Sequence, residues 1–244
     1  MLEIYAVHME KETFINWERL LPYISEERRA RISLRKTYED IMREIVCDVL
    51  VQHIVYKKYG IENMIEWDRT SYGKPYIQKL PSFQFSLSHA GEWVVCAVDT
   101  EPIGIDIECV QAVDFQATKH LFSSQEQKWW QQITEDKQLE TFYRIWTAKE
   151  SYIKAIGTGV SKNLSSFTVS LSEGRVYDEQ LKGIWLIKHI PFRREYILSV
   201  CTRGKDCSKD VQYTTMKHLI EERLYPALTG SKSPTDGSLT LLQS

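Results

Sequence analysis

The stretch Ile103-Gly104-Ile105-Asp106-Ile107-Glu108 decides how the fold of this 244-residue chain is interpreted. Isoleucine occupies every second position, a pattern typical of a β-strand with one apolar face. Asp106 and Glu108 therefore point to one side of the strand, whereas the isoleucines point into the core. Gly104 has no side chain, and such a position suits either a bend or the close approach of another backbone. The strand thus presents two carboxylates side by side.

A second stretch, Trp146-Thr147-Ala148-Lys149-Glu150-Ser151-Tyr152-Ile153-Lys154, has the pattern of a helix. Trp146, Glu150 and Lys154 are spaced i, i+4 and i+8 and form one stripe along it. If this stripe faces the acidic strand, Glu150 becomes a third carboxylate. Three carboxylates suit Mg²⁺, which prefers oxygen ligands and leaves positions for water and substrate phosphates. The predicted metal ligands are Asp106, Glu108 and Glu150.

A structural interpretation of the same residues stays open. Asp106 and Glu108 are consistent with the solvated face of an edge strand, and Glu150 with Lys154 is consistent with a surface ion pair of ~0.3–0.5 kcal/mol. The helix is, however, apolar around much of its circumference, which indicates packing against the sheet rather than exposure. These apolar residues are Phe142, Ile145, Trp146, Ile153 and Ile156.

Both stretches resemble the signature motifs of the 4′-phosphopantetheinyl transferases. The matching residues are Ile103 with Gly104-Ile105-Asp106, and Trp146-Thr147-x-Lys149-Glu150-Ser151-x-x-Lys154. The chain is most similar to the monomeric type that activates surfactin synthetase, over most of residues 1 to about 215. The resemblance implies an α+β (α/β) fold of two similar subdomains related by a pseudo-twofold axis, with the active site in the cleft between them.

The resemblance also implies a reaction and its partners. Coenzyme A gives its 4′-phosphopantetheine group to a serine hydroxyl of an apo peptidyl or acyl carrier protein. The transfer depends on Mg²⁺ and releases 3′,5′-ADP. The type further implies a monomer that serves nonribosomal peptide and antibiotic biosynthesis, but the sequence leaves open which carrier protein is modified.

Individual roles follow from the same resemblance. Asp106, Glu108 and Glu150 match the residues that hold Mg²⁺, and Lys154 matches a lysine on the phosphates. Glu150 and Lys154 are the catalytic candidates. Whether Glu150 or a metal-bound water takes the serine proton stays open. Lys154 fits charge stabilisation better than proton donation, because the leaving phosphate has a second pKa of about 6. The predicted coenzyme A contacts are Arg28, Arg31, Gly73, Lys74, Pro75, Ser88, His89 and Lys154; Glu126 matches an acidic position accessory to the metal.

One position departs from the family pattern. Relatives follow the arginine at Arg43 with a small hydroxylated residue that faces the 3′-phosphate, whereas this chain has Glu44. A carboxylate beside a phosphate repels it. Three alternatives are therefore open: Glu44 points elsewhere, it pairs with Arg43 or Arg28, or this enzyme binds the 3′-phosphate less tightly than its relatives do.

Composition excludes several other classes. The formal net charge is −2, which argues against general nucleic-acid binding. The five cysteines include no C-x-x-C pair, so neither a disulfide scaffold nor a zinc ribbon is expected. The sequence shows neither a signal peptide nor 18 uninterrupted apolar residues, and it predicts a soluble cytoplasmic protein without a membrane partner.

Helical sequence followed by strand-like runs occurs twice along the chain, and one of the runs is 64–68. The sequence thus predicts an N-terminal subdomain at 1–104 for the nucleotide, a C-terminal subdomain at 105–225 with the metal site and signature helix, and a disordered tail at 226–244. Candidate carrier-docking segments are 110–123 and 157–163. Two rival functions stay open: a non-catalytic module that binds carrier protein or coenzyme A, and a Mg²⁺-dependent phosphodiesterase acting on holo carrier protein.

Overall fold

The computed structural model describes residues 2–10, 15–204 and 209–229, which form two main β-sheets. The strands of the first sheet lie in the order β11-β1-β5-β4, and those of the second in the order β6-β10-β9-β8-β7. The first sheet comprises β1 (Glu3–His8), β4 (Gln84–Ala90), β5 (Trp93–Asp99) and β11 (Val211–Thr215). The second comprises β6 (Ile103–Cys109), β7 (Thr168–Ser170), β8 (Arg175–Tyr177), β9 (Trp185–Ile190) and β10 (Tyr196–Arg203). A separate short pair is β2 (Asp68–Arg69) with β3 (Pro75–Tyr76).

Two long helices cover these sheets. The α-helices in the described ranges are α1 (Glu26–Ile32), α2 (Tyr38–Tyr59), α3 (Phe115–Thr118), α4 (Ser124–Trp130), α5 (Glu135–Ile156) and α6 (Met216–Thr229). Short 3-10 turns lie at Trp17–Tyr23, Lys119–Leu121, Gly159–Ser161 and Leu164–Ser166. Helices α2 and α5 each span 22 residues, and each ends at a glycine with positive φ, Gly60 or Gly157. Thr37 accepts a hydrogen bond from the Asp40 amide and so caps the start of α2.

The same topology occurs in both halves of the chain. A strand, a long helix and two antiparallel strands follow one another as β1-α2-β4-β5 and again as β6-α5-β9-β10. In each sheet the last of these strands lies between the other two. The predicted pair of similar α+β subdomains agrees with this repeat.

The halves meet where the edge strands β4 and β6 lie side by side without a backbone ladder. Serine hydroxyls of β4 take its place: Ser86 Oγ accepts from the Ile105 amide at 3.1 Å, and Ser88 Oγ accepts from the Ile107 amide at 3.4 Å. Backbone amides buried at this seam are thereby satisfied. The isoleucines of β6 point the other way and are buried with residues of the first sheet, as the alternation predicted.

The end of the described chain returns to the first sheet. Strand β11 pairs in parallel with β1, and α6 packs Met216 and Leu219 against the core under α2. The predicted C-terminal subdomain, 105–225, is therefore not one contiguous unit, because its last strand and helix belong with the first sheet. Residues 226–229 of the predicted tail lie in α6, and the rest of that tail, 230–244, lies outside the described residues.

One strand prediction was wrong. Of residues 64–68, only Asp68 lies in a strand. Ile65 and Trp67 are buried in the core all the same, without a ladder to hold the segment. Trp67 instead donates its Nε1 hydrogen bond to Asp48 Oδ1 at 2.6 Å. Alternating burial produced the strand pattern here, whereas the backbone is irregular.

Two predictions from the sequence concern the cysteines and membrane-spanning segments. Cys47, Cys96, Cys109 and Cys201 are free thiols, and Cys207 lies outside the described residues. None of the helices in the described ranges combines the length and the apolar character needed to cross a membrane.

Candidate active site

Helix α5 lies directly on strand β6 because Gly104 has no side chain. A Cβ atom at this position would lie 1.8 Å from the Ser151 carbonyl oxygen and 2.5 Å from the Ala155 amide nitrogen. Real Cβ atoms do not approach so closely, so any other residue would displace the helix. Of the two uses that the sequence allowed for this glycine, the structure shows close backbone approach. The contact holds the stripe of Glu150 and Lys154 over the acidic face of β6.

Asp106 is at the centre of the polar contacts below this stripe. Its Oδ1 accepts hydrogen bonds from Ser88 Oγ at 2.8 Å and from Lys154 Nζ at 2.6 Å. Lys154 Nζ also contacts Ser88 Oγ at 2.9 Å, which closes a triangle. The Asp106 side chain is only 5% exposed, and its Oδ2 is buried without a hydrogen-bond partner among the described residues. A buried carboxylate oxygen without a donor is costly, and a bound cation would remove that cost.

Glu108 is held by the first residue of the helical stripe. Trp146 donates its Nε1 hydrogen bond to Glu108 Oε1 at 3.2 Å. Burial raises the pKa of Glu108, and the negative charge of Asp106 raises it further. The two acidic side chains of the strand therefore lie close enough to repel each other, as their spacing predicted.

Glu150 is the third carboxylate of this group. Burial raises its pKa, and Asp106 and Glu108 add to the rise, while Lys154 opposes it. No hydrogen bond from a described residue reaches the Glu150 carboxylate. Buried carboxylates at which neighbouring negative charge raises the pKa create a field that favours a cation.

The acidic residues do not form a finished metal cage. Within the described ranges, no three His, Cys, Asp or Glu side chains converge closely enough to hold a metal ion. Lys154 currently supplies the positive charge at Asp106 Oδ1, and Glu108 is engaged by Trp146. The donor set nevertheless fits a hard divalent cation, because it consists of carboxylate oxygens and includes the unpartnered Asp106 Oδ2.

A cavity of about 410 Å³ opens beside this group. Its lining includes all the predicted metal, catalytic and coenzyme A residues except Asp106 and Glu108, and the accessory candidate Glu126 is not part of it either. Asp106 instead contacts Ser88 and Lys154, and Glu108 contacts Trp146. The predicted residues that line the cavity are Arg28, Arg31, Gly73, Lys74, Pro75, Ser88, His89, Glu150 and Lys154. Lys154 and Glu150 thus share one cavity with Arg28 and Arg31.

Lys74 lines the cavity, but its ammonium group points to the other half of the chain. Its Nζ donates to the Ala155 carbonyl at 2.6 Å and contacts the Ile103 carbonyl at 3.3 Å. The Ala155 oxygen belongs to the last turn of α5, where carbonyls lack helical partners and attract cations. Burial lowers the pKa of Lys74 to about 8. The side chain therefore ties the segment at 72–75 to the signature helix.

His89 is the next-to-last residue of β4 and lines the cavity. Desolvation by the surrounding protein lowers its pKa, and the nearby cations Arg43 and Lys154 lower it further. The imidazole is therefore neutral near pH 7 and can donate a hydrogen bond from one ring nitrogen.

Glu44 does not pair with Arg43. Its carboxylate binds Arg28, Arg31 and Arg35 instead, while Arg43 binds Asp40 at 2.8 Å and the Gly91 carbonyl at 2.9 Å. The sequence left open whether Glu44 pairs with Arg43 or with Arg28, and the structure shows the pair with Arg28.

Comparison with known proteins agrees with this geometry. The model of the 4′-phosphopantetheinyl transferase superfamily matches residues 102–201, and that of the 4′-phosphopantetheinyl transferase N-terminal region matches residues 11–101. A 4′-phosphopantetheinyl transferase of Bacillus subtilis is 35% identical over 224 residues, which cover 90% of this chain and 100% of the relative. This chain belongs to the 4′-phosphopantetheinyl transferase superfamily.

Two other relatives show how far the likeness extends. The 4′-phosphopantetheinyl transferase Sfp of Bacillus subtilis strain 168 is 33% identical, with 90% of this chain and 100% of the relative covered. The L-aminoadipate-semialdehyde dehydrogenase-phosphopantetheinyl transferase of Homo sapiens is 29% identical, with 79% of this chain and 71% of the relative covered. Both signature stretches of this transferase lie inside the region matched by the superfamily model.

Glu126 does not reach the acidic group of this transferase. It is fully buried, and its Oε2 forms an ion pair with Lys149 Nζ at 2.8 Å. Its oxygens also accept from the Ser123 and Val169 amides. The accessory metal role predicted for Glu126 is therefore wrong, because every contact places it in the core between α4 and α5. A signal for this existed, since Lys149 lies four residues after Ile145 and four before Ile153, on the apolar side of the helix.

Sequence reasoning also missed Arg35 as a partner of Glu44. It is three residues beyond Ile32, the last residue of α1, and reaches back to the carboxylate from there. The basic run that contains Arg35 was visible, but a run of charges alone does not indicate which member turns inward.

Proposed function

We propose that this transferase moves the 4′-phosphopantetheine group of coenzyme A to a serine hydroxyl of an apo carrier protein and releases 3′,5′-ADP. One observation carries the proposal: a single cavity joins Lys154, Ser88 and His89, beside three carboxylates, to a cluster of arginines. Coenzyme A has anionic groups at two places, and the cavity offers cations at two places. The Mg²⁺ requirement and the residue roles below are part of this proposal.

Asp106, Glu108 and Glu150 would hold the metal ion. The unpartnered Asp106 Oδ2 and the mutual repulsion of the carboxylates support this assignment. When bound, the ion would supply positive charge to the pyrophosphate oxygens. Binding also changes the task of Lys154, because its ammonium is no longer needed to neutralise Asp106.

Lys154 binds the pyrophosphate and stabilises the charge that develops on it. Its side chain is 29% exposed toward the cavity, and its contacts with Asp106 and Ser88 fix its direction. Proton donation is unnecessary because the leaving phosphate has a second pKa of about 6. His89, as a neutral donor in the same cavity, contributes a further hydrogen bond to the phosphates.

Glu150 takes the proton of the attacking serine, directly or through an oriented water. Without a cation, burial and then the charge of Asp106 raise the pKa of its carboxyl group. A carboxylate that holds Mg²⁺ would be a weaker base, which favours the route through an oriented water. Its position in the cavity wall, without a hydrogen bond from a described residue, leaves it available to substrate.

The carrier protein must present its serine at the cavity mouth. Gly157 and Gly159 of the segment 157–163 line the cavity, which favours this segment as a docking edge. Of the other candidate, Val113 and Phe115 already pack against the cluster around Phe122. We further propose that the protein acts as a monomer in the cytoplasm, without a nucleic-acid or membrane partner. The free thiols among the described residues support the cytoplasmic location, and the net charge of −2 argues against a nucleic-acid partner.

The test is the mass of a carrier protein after incubation with this chain. Apo carrier is mixed with the chain, coenzyme A and Mg²⁺, with and without EDTA, and is then analysed by mass spectrometry. A gain of phosphopantetheine that EDTA prevents supports the transferase. No gain, together with binding of carrier or coenzyme A, supports the non-catalytic module, and loss of the group from holo carrier supports the phosphodiesterase.

A further inference from the structure

The arginines that line the cavity already bind an anion that belongs to the protein. Glu44, on α2, lines the cavity, and its side chain is only 4% exposed. Arg28 binds Glu44 Oε2, and Arg31 spans both oxygens with contacts of 3.0 to 3.1 Å. Arg35 Nε donates to Oε1 at 3.0 Å. Three guanidinium groups therefore surround one carboxylate.

This carboxylate is charged at neutral pH. Burial opposes ionisation, but the hydrogen bonds and charges of Arg31, Arg28 and Arg35 outweigh burial and lower the pKa of Glu44 to about 2. Arg28 is held from a second side, because its guanidinium lies 4.3 Å from the centre of the Trp67 ring. The arginines are thus positioned by Glu44 before any ligand arrives.

The other cations along the cavity are either bound to other groups or, in the case of Lys154, assigned to the pyrophosphate. If the proposed function holds, the pyrophosphate lies beside Lys154, and the 3′-phosphate of coenzyme A must meet other groups. Lys74 is bound to the Ala155 carbonyl, and Arg69 binds Glu27 and the Gly73 carbonyl. Among the described residues that line the cavity, Arg28 and Arg31 remain, and both bind Glu44.

We propose that Glu44 supplies part of the negative charge that the 3′-phosphate would otherwise bring, so that this chain also uses 3′-dephospho-coenzyme A as a phosphopantetheine donor. The proposal rests on the proposed function. Glu44 repels a phosphate dianion and occupies the arginine donors that such a group would use. Three arginines and one glutamate still leave a positive cluster, so coenzyme A itself binds too.

The transfer reaction with 3′-dephospho-coenzyme A is balanced in the same way as the reaction with coenzyme A. The serine oxygen forms a bond to the phosphorus that carries pantetheine, and the bridging bond of the pyrophosphate breaks. The serine proton passes to Glu150 or to water. The leaving group is 5′-AMP instead of 3′,5′-ADP, and no further reactant is needed.

The first test compares kcat/KM for coenzyme A and for 3′-dephospho-coenzyme A with one apo carrier protein and the unaltered chain. We expect the two kcat/KM values to lie within about tenfold of each other. A preference for coenzyme A of about 100-fold or more would overturn the proposal. Activity with coenzyme A alone establishes the transferase, so failure of the two ideas can be told apart.

The second test uses Glu44→Gln and, as a matched control on the same helix, the exposed Glu39→Gln. Glutamine keeps the shape but removes the charge, so the 3′-phosphate gains the full attraction of the arginines. We expect Glu44→Gln to raise the preference for coenzyme A by about tenfold, through KM, and the control to leave it unchanged. An unchanged preference in Glu44→Gln would contradict the assignment.

Calorimetry of the unaltered chain serves if Glu44→Gln does not fold. Titration with 3′,5′-ADP and with 5′-AMP measures directly how much the 3′-phosphate contributes to binding affinity, even in the absence of transfer. We expect dissociation constants within about tenfold of each other. Binding of 3′,5′-ADP that is tighter by about 100-fold or more would show that Glu44 does not replace the phosphate.

Discussion

Lys149 and Glu126 form an ion pair in which neither side chain is exposed to solvent, at an Nζ–Oε2 distance of 2.8 Å. Lys149 also donates to the carbonyls of Leu164 and Phe167, each at 2.8 Å. The pair thereby joins α4, α5 and the start of the strand β7. Glu150, which follows Lys149 in the signature motif, consequently faces the cavity from a helix that is fixed on its opposite side.

We expect Lys149→Ala to destabilise the fold strongly. Removal of one partner leaves the Glu126 charge buried and uncompensated, which costs about 3–5 kcal/mol. The free energy of unfolding in urea measures this loss. Lys154→Ala is the comparison, since Lys154 is partly exposed, and we expect a smaller loss of stability there but a larger loss of activity. Equal stability of Lys149→Ala and the unaltered protein would contradict the structural role.

Gly104→Ala should reduce both stability and turnover. The added Cβ would lie 1.8 Å from the Ser151 carbonyl, so α5 must move away from β6 and carry Glu150 and Lys154 with it. Gly60→Ala is the matched control: the φ of Gly60 is +67°, but a Cβ added there would lie in open space. We expect Gly60→Ala to cost about 1–2 kcal/mol of stability without a change in kcat. A Gly104→Ala variant with normal kcat would show that the contact does not position the helix.

Lys74→Met should raise the KM for coenzyme A more than it lowers kcat. The substitution keeps the apolar part of the side chain but removes the hydrogen bond to the Ala155 carbonyl, which frees the segment at 72–75 from α5. We expect KM to rise by about three- to tenfold and kcat to change by less than about twofold. The exposed Lys79→Met is the control, and a KM unchanged in both variants would contradict this role for Lys74.

The Glu44 ion pairs predict a specific loss of stability in acid. The pKa of Glu44 is lowered from 4.5 to about 2, so the unfolded chain binds more protons between these values. The stabilisation is complete above pH 4.5 and disappears as the pH falls through 2; it amounts to roughly 3 kcal/mol. Chemical unfolding of the unaltered protein and of Glu44→Gln at several pH values measures it. Parallel curves for the two proteins between pH 5 and about 2.5 would contradict the prediction.

The sequence predicted the acidic face of β6 and the stripe on α5 because both depend on short, regular periods. A strand repeats every two residues and a helix every 3.6, so Asp106, Glu108, Glu150 and Lys154 had to lie on defined faces. At Gly104 the sequence allowed either a bend or the close approach of another backbone, and the packing of α5 on β6 decides for the close approach.

Contacts between distant segments were not predictable in this way. Strand β11 pairs with β1 across some 200 residues of chain, and no local pattern specifies that partner. The three arginines around Glu44 come from α1 and the turn after it, and their convergence depends on how α1 packs on α2. The segment at 64–68 misled for the opposite reason, since Ile65 and Trp67 are buried without a strand.

Glu150, on the stripe over Asp106, is proposed to serve the transfer of phosphopantetheine. The most direct measurement is the mass of an apo carrier protein after incubation with coenzyme A, Mg²⁺ and either the unaltered chain, Glu150→Gln or Glu140→Gln. Glu140 lies on the same helix and is 66% exposed. We expect the unaltered chain and Glu140→Gln to add phosphopantetheine, and Glu150→Gln to add it at least about 100-fold more slowly. Carrier of unchanged mass with the unaltered chain would contradict the proposed activity, and full activity of Glu150→Gln would contradict the role of Glu150.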